Sequence, residues 1–284
     1  MYPFITIFGK QISTYGICAI IGILTVYGIV MLRCRIRRLD YDRAFYMVII
    51  QLLCLFLGSG LLYQIQAIPH NFPLLKYLFT DFDYVRNNYY TGFVFYGGLF
   101  GVVIGPMITS KVFNWNLTEY FNISIPAFTV FHAITRVGCF LVGCCHGIAC
   151  PTCGIAVAYT HSVVAENGIP YIPIQLFESA GNVIIATLLF ILQQKRPFMR
   201  NCFKSLGLYF VLYGTMRFID EYWRGDLIRG IYGPFSTSQW ISLVVVPLGI
   251  YLLVCPASRC FMRKWYIGTK KKKPAAKSQQ PRRA

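Results

Sequence analysis

The stretch Arg136–Gly147, "RVGCFLVGCCHG", places an arginine, three cysteines and a histidine at the end of a long apolar segment. In a water-soluble protein the cysteines and the histidine would suggest a metal site or a disulfide. An ionisable side chain inside a membrane helix is costly, so it is a functional candidate by default. The composition of the rest of the chain decides which of these settings applies.

Apolar residues dominate the whole chain. Of its 284 residues 56% are hydrophobic and 13% are charged, and that charged share is about half the usual one for a soluble domain. Runs long enough to cross a hydrocarbon core recur along the full length. The sequence therefore predicts an all-α, polytopic integral membrane protein with about seven transmembrane helices. The predicted spans are Tyr15–Leu32, Ala44–Ile65, Gly92–Ser110, Ile123–Cys145, Ile174–Gln193, Lys204–Tyr222 and Ser238–Val254.

The net charge of +17 has two explanations, nucleic-acid binding or membrane topology. With seven spans, the loops on the C-terminal side hold 20 of the 27 Lys and Arg residues, and the opposite side holds five. This asymmetry predicts an outside N-terminus and a cytoplasmic C-terminus. The charge is then topological, and no nucleic-acid partner is expected. Residues 1–268 are predicted to form the transmembrane domain, and residues 269–284 a basic, disordered cytoplasmic tail that contacts membrane lipids.

Polar residues gather in four segments, and the predicted topology brings all four to the outer face of the membrane. This convergence predicts one site in the outer leaflet, since polar groups at depth are functional candidates. The segments are Arg136–Gly147, Pro173–Ser179, Tyr213–Asp226 and Tyr90–Gly98.

Two of these segments contain acidic residues at helical spacing from other polar groups. Arg217, Glu221 and Arg224 are spaced i, i+4, i+7, which predicts one helical stripe. Arg217 and Glu221 can pair there, either as an interhelical salt bridge without chemistry or as part of a site. Gln175 and Glu178 are spaced i, i+3. Glu178 is expected to take an arginine partner, to act as an acid or base, or to sit as a helix-start carboxylate.

Arg136 lies within an apolar helix with no acidic neighbour in sequence. A lipid phosphate is a natural bidentate partner for its guanidinium group. Glycines are dense around the polar segments, among them Gly97 and Gly98. They allow either close helix packing or close approach of the backbone to a bound headgroup.

Six ordered segments resemble those of the prolipoprotein diacylglyceryl transferases of bacterial membranes, over roughly Thr14–Gly249. "TRVGCFLVGCCHG" is similar to the family signature, Gly-Arg-x-Gly-Asn-Phe followed by Gly-Glu and a closing Gly. "FYGGLFG" resembles the His-Gly-Gly segment, and "IPIQLFES" the Pro-x-Gln-Leu-Tyr-Glu segment. The remaining three are "STYGICAIIG", "YGTMRFIDEYWRGD" and "STSQWISL".

The resemblance implies a reaction in which a diacylglyceryl group moves from phosphatidylglycerol to the lipobox cysteine thiol of a prolipoprotein signal peptide. It implies action at the outer leaflet of the bacterial plasma membrane, and no cofactor is needed. The implied catalytic residues are Arg136, Arg217, Glu178, Glu221 and Tyr96. The implied substrate-binding residues are Arg136, Tyr15, Gly97, Gly98, Gln175, Arg224, Cys139 and Cys144, and no metal is assigned to the transfer site.

The chain departs from the family pattern at three polar positions. Cys139 replaces an asparagine, Cys144 replaces a glutamate, and Tyr96 replaces the histidine often regarded as the base. A tyrosine, with an ordinary pKa of about 10, is a poor base near neutral pH. Two alternatives therefore stay open: a paralogue that transfers a lipid group to another acceptor, and a non-catalytic lipid- or metal-binding membrane protein.

The cysteines admit several interpretations. Cys150 and Cys153, with Cys144 or Cys145 and His146, could bind zinc or another soft metal. A disulfide could instead join Cys150 to Cys153 or to Cys145. Otherwise the cysteines are packing residues and free thiols, or one of them, such as Cys139 or Cys144, carries chemistry. His146 and His161 are candidate replacement bases.

Overall fold

A computed structural model describes residues 2–7, 9–77, 80–89, 92–195, 198, 201–225 and 231–255. The predicted boundary after residue 268 and the predicted basic tail lie outside these residues, as does the last residue of the segment Tyr213–Asp226.

Eight α-helices dominate the described residues, and each predicted span falls on one of the seven long ones. Six of these are long and apolar enough to cross a membrane. The seventh, α7, has 19 residues but includes Lys204, Arg217 and Asp220 and does not meet the same hydropathy test, so the count of seven spans stays a prediction. The helices are α1 Thr14–Arg37, α2 Tyr41–Leu74, α3 Phe82–Asn88, α4 Phe95–Phe113, α5 Thr118–Val142, α6 Ile174–Leu192, α7 Cys202–Asp220 and α8 Thr237–Val254.

Within the described ranges, three short antiparallel hairpins add a little β-structure to the predicted all-α fold. They occur before α1, in the connection between α5 and α6, and before α8, where the chain has left the long helices and its backbone groups pair locally. The strands are β1 Phe4–Ile7 with β2 Lys10–Ser13, β3 Val157–Ala158 with β4 Pro170–Tyr171, and β5 Ile231–Tyr232 with β6 Phe235–Ser236.

The chain divides into two units. Of the described residues, the first comprises those up to Ile49 and those from Thr118 onward, and the second comprises those within Ile50–Leu117. In the first unit α5 packs against both α1 and α6, and α7 packs against α8. Its core is thus built around α5, a helix with 17 buried residues of 25.

One end of the first unit is closed by buried amide and hydroxyl groups. Gln193, just after α6, donates to the Asn122 carbonyl oxygen at 2.7 Å, and the Ser205 hydroxyl donates to Asn122 Oδ1 at 2.7 Å. Arg33 of α1 donates to Gln193 Oε1 at 2.8 Å. Because α5 and α7 begin here and α6 ends here, the C-terminal ends of α5 and α7 meet the beginning of α6 at the opposite end of the unit.

In the second unit, glycines bring α4 against α2. A Cβ atom at Gly97 would collide with the Gly58 backbone, and one at Gly101 would collide with the Cys54 carbonyl group. Gln51 of α2 also donates to the Val102 carbonyl oxygen at 3.0 Å. Helix packing therefore accounts for the glycine at position 97, and the predicted substrate-binding roles of Gly97 and Gly98 stay predictions.

Candidate active site

Glu178 lies at the centre of a buried charge cluster in the first unit. It stands in the second turn of α6 and is fully buried. One carboxylate oxygen, Oε2, contacts Arg136 Nε. The other, Oε1, lies 3.3 Å from Arg217 Nη1 and 3.5 Å from Arg224 Nη1. Of the alternatives for this residue, pairing with arginine is therefore confirmed, and it involves three arginines from two of the four polar segments.

Arg217 links this carboxylate to two further groups. Its side chain is fully buried on α7, and its Nη2 lies 2.7 Å from Glu221 Oε2. The same nitrogen donates to the Ser238 hydroxyl at 3.1 Å, in the first turn of α8. The predicted Arg217–Glu221 pair is confirmed, and Arg217 connects α6, α7 and α8.

Arg224 reaches Glu178 by a route that the helical spacing did not predict. Helix α7 ends at Asp220, a 3₁₀ turn covers Glu221–Trp223, and Arg224 is extended at φ −79° and ψ 134°. The prediction of one continuous helical stripe through Arg224 is therefore wrong. Arg224 instead forms a β-bridge with Gly147, because the backbone turns back along the loop that follows α5.

The connection after α5 holds this segment through backbone hydrogen bonds. Ile148 N–H donates to the Trp223 carbonyl oxygen at 2.9 Å, and Gly225 N–H donates to the His146 carbonyl oxygen at 3.2 Å. A Cβ atom at Gly147 would lie 2.8 Å from the Trp223 carbonyl oxygen and 2.7 Å from that of Ile172. Only glycine leaves room for this approach, so the closing glycine of the signature has a structural reason.

Arg136 has a second neighbour that the sequence analysis missed. Its Nε donates to His132 Nε2 at 3.3 Å, and the His132 ring packs edge-on against Tyr213 at 5.1 Å. Both Arg136 and His132 are buried. Their spacing of four residues puts them on one face of α5, and that spacing is the signal that could have found the histidine.

Two other buried residues near the cluster were also missed. Asp220, the last residue of α7, is buried and interacts electrostatically with Glu178 and Arg217. Ser238 was missed because a serine at a helix start is ordinarily a capping residue. Spacing in the sequence alone does not show whether Asp220 and Ser238 belong to the site or have only a local structural role.

Gln175 fixes the loop after α5. Its amide nitrogen donates to the Cys144 carbonyl oxygen at 2.7 Å and to the Tyr159 hydroxyl at 3.1 Å. Burial raises the pKa of Tyr159, so this hydroxyl stays protonated near neutral pH. The amide nitrogen of Gln175 thus serves to position the loop, and its predicted role in substrate binding stays a prediction.

The five cysteines between positions 139 and 153 separate into two groups. Cys150 and Cys153 form a disulfide, which confirms one of the alternatives and makes a metal site at these two residues wrong. The sulfur atoms of Cys139, Cys144 and Cys145 all lie within 4.8 Å of one another. Predicted site residues Cys139 and Cys144 are thus brought together, with Cys145 as an additional neighbour.

The remaining predicted residues lie in different surroundings. A Cβ atom at Gly138 would lie 3.2 Å from the Tyr15 ring, so Tyr15 packs beside the signature segment. The His146 ring packs on Tyr171 at 4.2 Å, and His161 is exposed. Tyr96 is buried at the start of α4 in the second unit, and its catalytic role stays a prediction.

A family model described as prolipoprotein diacylglyceryl transferase matches residues 3–255 of the chain. The chain belongs to this family. Its segments around Arg136, Glu178 and Arg217, which resemble the motifs of the prolipoprotein diacylglyceryl transferases, are those that form the buried charge cluster. Membership of this family and the apolar helices make the chain a multi-pass membrane protein.

Curated relatives of this diacylglyceryl transferase family cover most of the chain. A phosphatidylglycerol–prolipoprotein diacylglyceryl transferase of Clostridium tetani is 32% identical over 247 residues, which span 87% of this chain and 94% of the relative. The protein named phosphatidylglycerol–prolipoprotein diacylglyceryl transferase 2 of Clostridium perfringens is 29% identical, over 87% of this chain and 91% of the relative. One from Listeria welshimeri is 27% identical, over 63% of this chain and 67% of the relative.

Proposed function

We propose that the protein transfers a diacylglyceryl group from phosphatidylglycerol to the lipobox cysteine thiol of prolipoproteins. The reaction takes place at the outer leaflet of the bacterial plasma membrane. The observation that carries the proposal is the convergence of Arg136, Arg217 and Arg224 on Glu178. The names of the relatives support the identity of the donor and the acceptor.

Three guanidinium groups buried together suit an anionic lipid headgroup. Each guanidinium has about five donors and each carboxylate about four acceptor sites. Three arginines therefore offer more hydrogen bonds than Glu178 and Glu221 can accept. A phosphodiester is a well-matched additional acceptor, since its oxygens fit the planar fork of arginine. Glu178 keeps the arginines together when no lipid is bound.

The same arrangement favours the transition state of transfer. The acceptor thiolate attacks the glyceryl carbon, the bond from this carbon to the phosphate oxygen breaks, and glycerol phosphate leaves. Negative charge grows on the departing phosphate, and donors already aimed at that position stabilise it. Arg136 and Arg217 are the residues we assign to this task, because they contact Glu178 from the two helices that flank α6.

The proposal is tested in bacterial cells depleted of their own transferase. The wild-type chain is expected to restore diacylglyceryl-modified lipoprotein, detected by mass spectrometry of the modified cysteine. Arg136→Ala and Arg217→Ala are each expected to abolish this modification while the protein still inserts into the membrane. Arg43→Ala is the matched control, because Arg43 forms an exposed ion pair with Asp40 away from the cluster, and it should retain activity.

Full activity of Arg136→Ala would remove the phosphate-binding role. Failure of the well-expressed wild-type chain to modify any lipoprotein would overturn the proposed acceptor and favour a paralogue with another one.

A further inference from the structure

Three thiols meet where α5 ends, and the transfer reaction so far gives them no role. The sulfur atoms of Cys139, Cys144 and Cys145 lie within 4.8 Å of one another. Three sulfurs each about 2.3 Å from one zinc ion would lie about 3.8–4.0 Å apart. The three thiols are therefore within a small side-chain adjustment of a zinc-binding arrangement.

The backbone brings the thiols together at some conformational cost. Cys139 is in the last turn of α5, and Gly143 leaves the helix with φ +82°. Cys145 also has a left-handed conformation, with φ +58°. Such a conformation is unfavourable for a non-glycine residue, and residues that adopt it occur often at functional sites. Cys144 N–H donates to the Cys139 carbonyl oxygen at 3.1 Å, which folds the loop back over the helix end.

We propose that Cys139, Cys144 and Cys145 bind one zinc ion whose fourth position receives the acceptor thiol. This inference rests on the proposed function. Three protein ligands with one open position is the usual pattern of a catalytic zinc site, whereas structural sites are closed by four. Cys144 and Cys145 are partly exposed, so an incoming thiol can approach from the loop side.

A metal would supply what this chain has lost relative to its family. By the resemblance of its motifs, Tyr96 of this chain stands at the position of the family histidine, and Cys144 at that of a glutamate. A coordinated thiol is held as the thiolate, which is the nucleophilic form. Coordination to zinc therefore prepares the acceptor without a histidine base.

The charges around the thiols favour this arrangement. Three cysteine thiolates and one zinc ion carry a net charge of −1, and a bound acceptor thiolate makes it −2. Arg136 interacts electrostatically with Cys139 and Cys145, and Arg224 interacts with Cys145. Arg136, which we assign to the lipid phosphate, thus also adjoins the thiols, so acceptor and donor would be held side by side.

The step is balanced without an oxidant or a reductant. The acceptor thiol releases its proton to solvent as its sulfur binds zinc. The sulfur lone pair then forms the bond to the glyceryl carbon, and the carbon–oxygen bond breaks with its electron pair on glycerol phosphate. The product thioether is neutral and a weaker zinc ligand than a thiolate, so it can leave the fourth position.

Metal content of the full-length protein purified in detergent is the first test. About one zinc per chain is expected. The retained zinc should fall by about ten-fold or more in each of three variants, since the affinity for zinc depends on the complete set of ligands. These variants are Cys139→Ser, Cys144→Ser and Cys145→Ser. Cys34→Ser is the matched control, because Cys34 is a buried cysteine of α1 outside the cluster. Zinc retained in all three variants, or a disulfide among the three cysteines in active protein, would overturn the inference.

Replacement of zinc by cobalt tests the open position. The absorption of cobalt–thiolate bonds rises with the number of thiolates bound to the metal. A lipobox peptide that carries its cysteine should therefore increase this absorption by the contribution of one additional thiolate. The same peptide with serine in place of that cysteine should leave it unchanged. An unchanged spectrum with the cysteine peptide would overturn the role in acceptor binding.

Lipid transfer measured on the same preparations separates this inference from the proposed function. Transfer by metal-free protein would overturn the zinc site and leave the proposed reaction intact. If the bound metal coordinates the peptide thiol but no lipid is transferred from phosphatidylglycerol, the zinc site is supported and phosphatidylglycerol is wrong as the proposed donor.

Discussion

Glu178 is the residue on which the buried charges of the first unit depend. Its carboxylate is fully buried and contacts Arg136, Arg217 and Arg224. Without it, three guanidinium groups would face one another with little solvent to screen them. Removal of one partner of a buried ion pair is costly because the other charge remains buried.

Glu178→Gln is expected to destabilise the protein by about 3–5 kcal/mol and to abolish lipid transfer. The loss of stability is measured as a lower midpoint of unfolding in detergent. Glu221→Gln is the comparison, because Glu221 pairs with Arg217 alone among the ion pairs of the described residues. It should lower stability by less than Glu178→Gln does, since one arginine rather than three loses its carboxylate partner. Equal stability losses for the two variants would contradict the central role of Glu178.

At the scale of elements, the charge cluster is completed where the loop after α5 approaches the segment after α7. Gly147 and Arg224 form the bridge between them. This contact brings the guanidinium group of Arg224 to within 3.5 Å of Glu178.

Gly147→Ala should therefore impair transfer and lower stability by about 1–3 kcal/mol, because the added Cβ would lie 2.7 Å from the Ile172 carbonyl oxygen. Gly154→Ala, on the same loop, has open space around its Cβ position and is expected to behave as wild type. Both are measured by lipid transfer and by thermal unfolding. A Gly147→Ala protein with wild-type values would show that this close approach is not needed.

The contact between α2 and α4 is a second element-scale feature. Gly101→Ala is expected to lower stability by about 1–3 kcal/mol, since its Cβ would collide with the Cys54 carbonyl group. Gly60→Ala, in α2, meets nothing within 4 Å and should be neutral or stabilising by up to about 1 kcal/mol, because alanine favours helix. Unfolding midpoints of the two variants, compared in the same detergent, test this difference. A smaller loss for Gly101→Ala than for Gly60→Ala would contradict it.

At the scale of the whole molecule, the asymmetric distribution of Lys and Arg sets the expected orientation. The C-terminal side of the predicted topology holds 20 of 27 basic residues. Basic loops tend to remain in the cytoplasm. We therefore expect the loop after α5, and the cluster beside it, to face outward.

An epitope tag inserted after Gly154, in an exposed part of that loop, should be reached by antibody in intact spheroplasts. A tag placed after Ala284 should be reached only once the membrane is permeabilised. The reverse pattern, or access to both tags in intact cells, would contradict the predicted topology and the outer-leaflet site.

The fold class could be predicted from sequence because a long apolar run in lipid satisfies its backbone N–H and C=O groups by forming a helix. The Arg217–Glu221 pair could also be predicted from sequence, since side chains four residues apart on a helix are neighbours. Arg224 could not be placed in this way. The helical spacing fails once α7 ends at Asp220, and a bridge to a distant loop then fixes the side chain.

The sequence by itself determined the helical membrane architecture, the candidate arginines and the family to which they belong. These features depend on composition, local periodicity and ordered motifs, all of which act along the chain. Only the tertiary structure decided that Glu178 is shared by three arginines, that His132 joins Arg136, and which cysteines meet. Those contacts join residues through loop and helix-end geometry, where charge pairing, close backbone approach and left-handed turns depend on the packed surroundings.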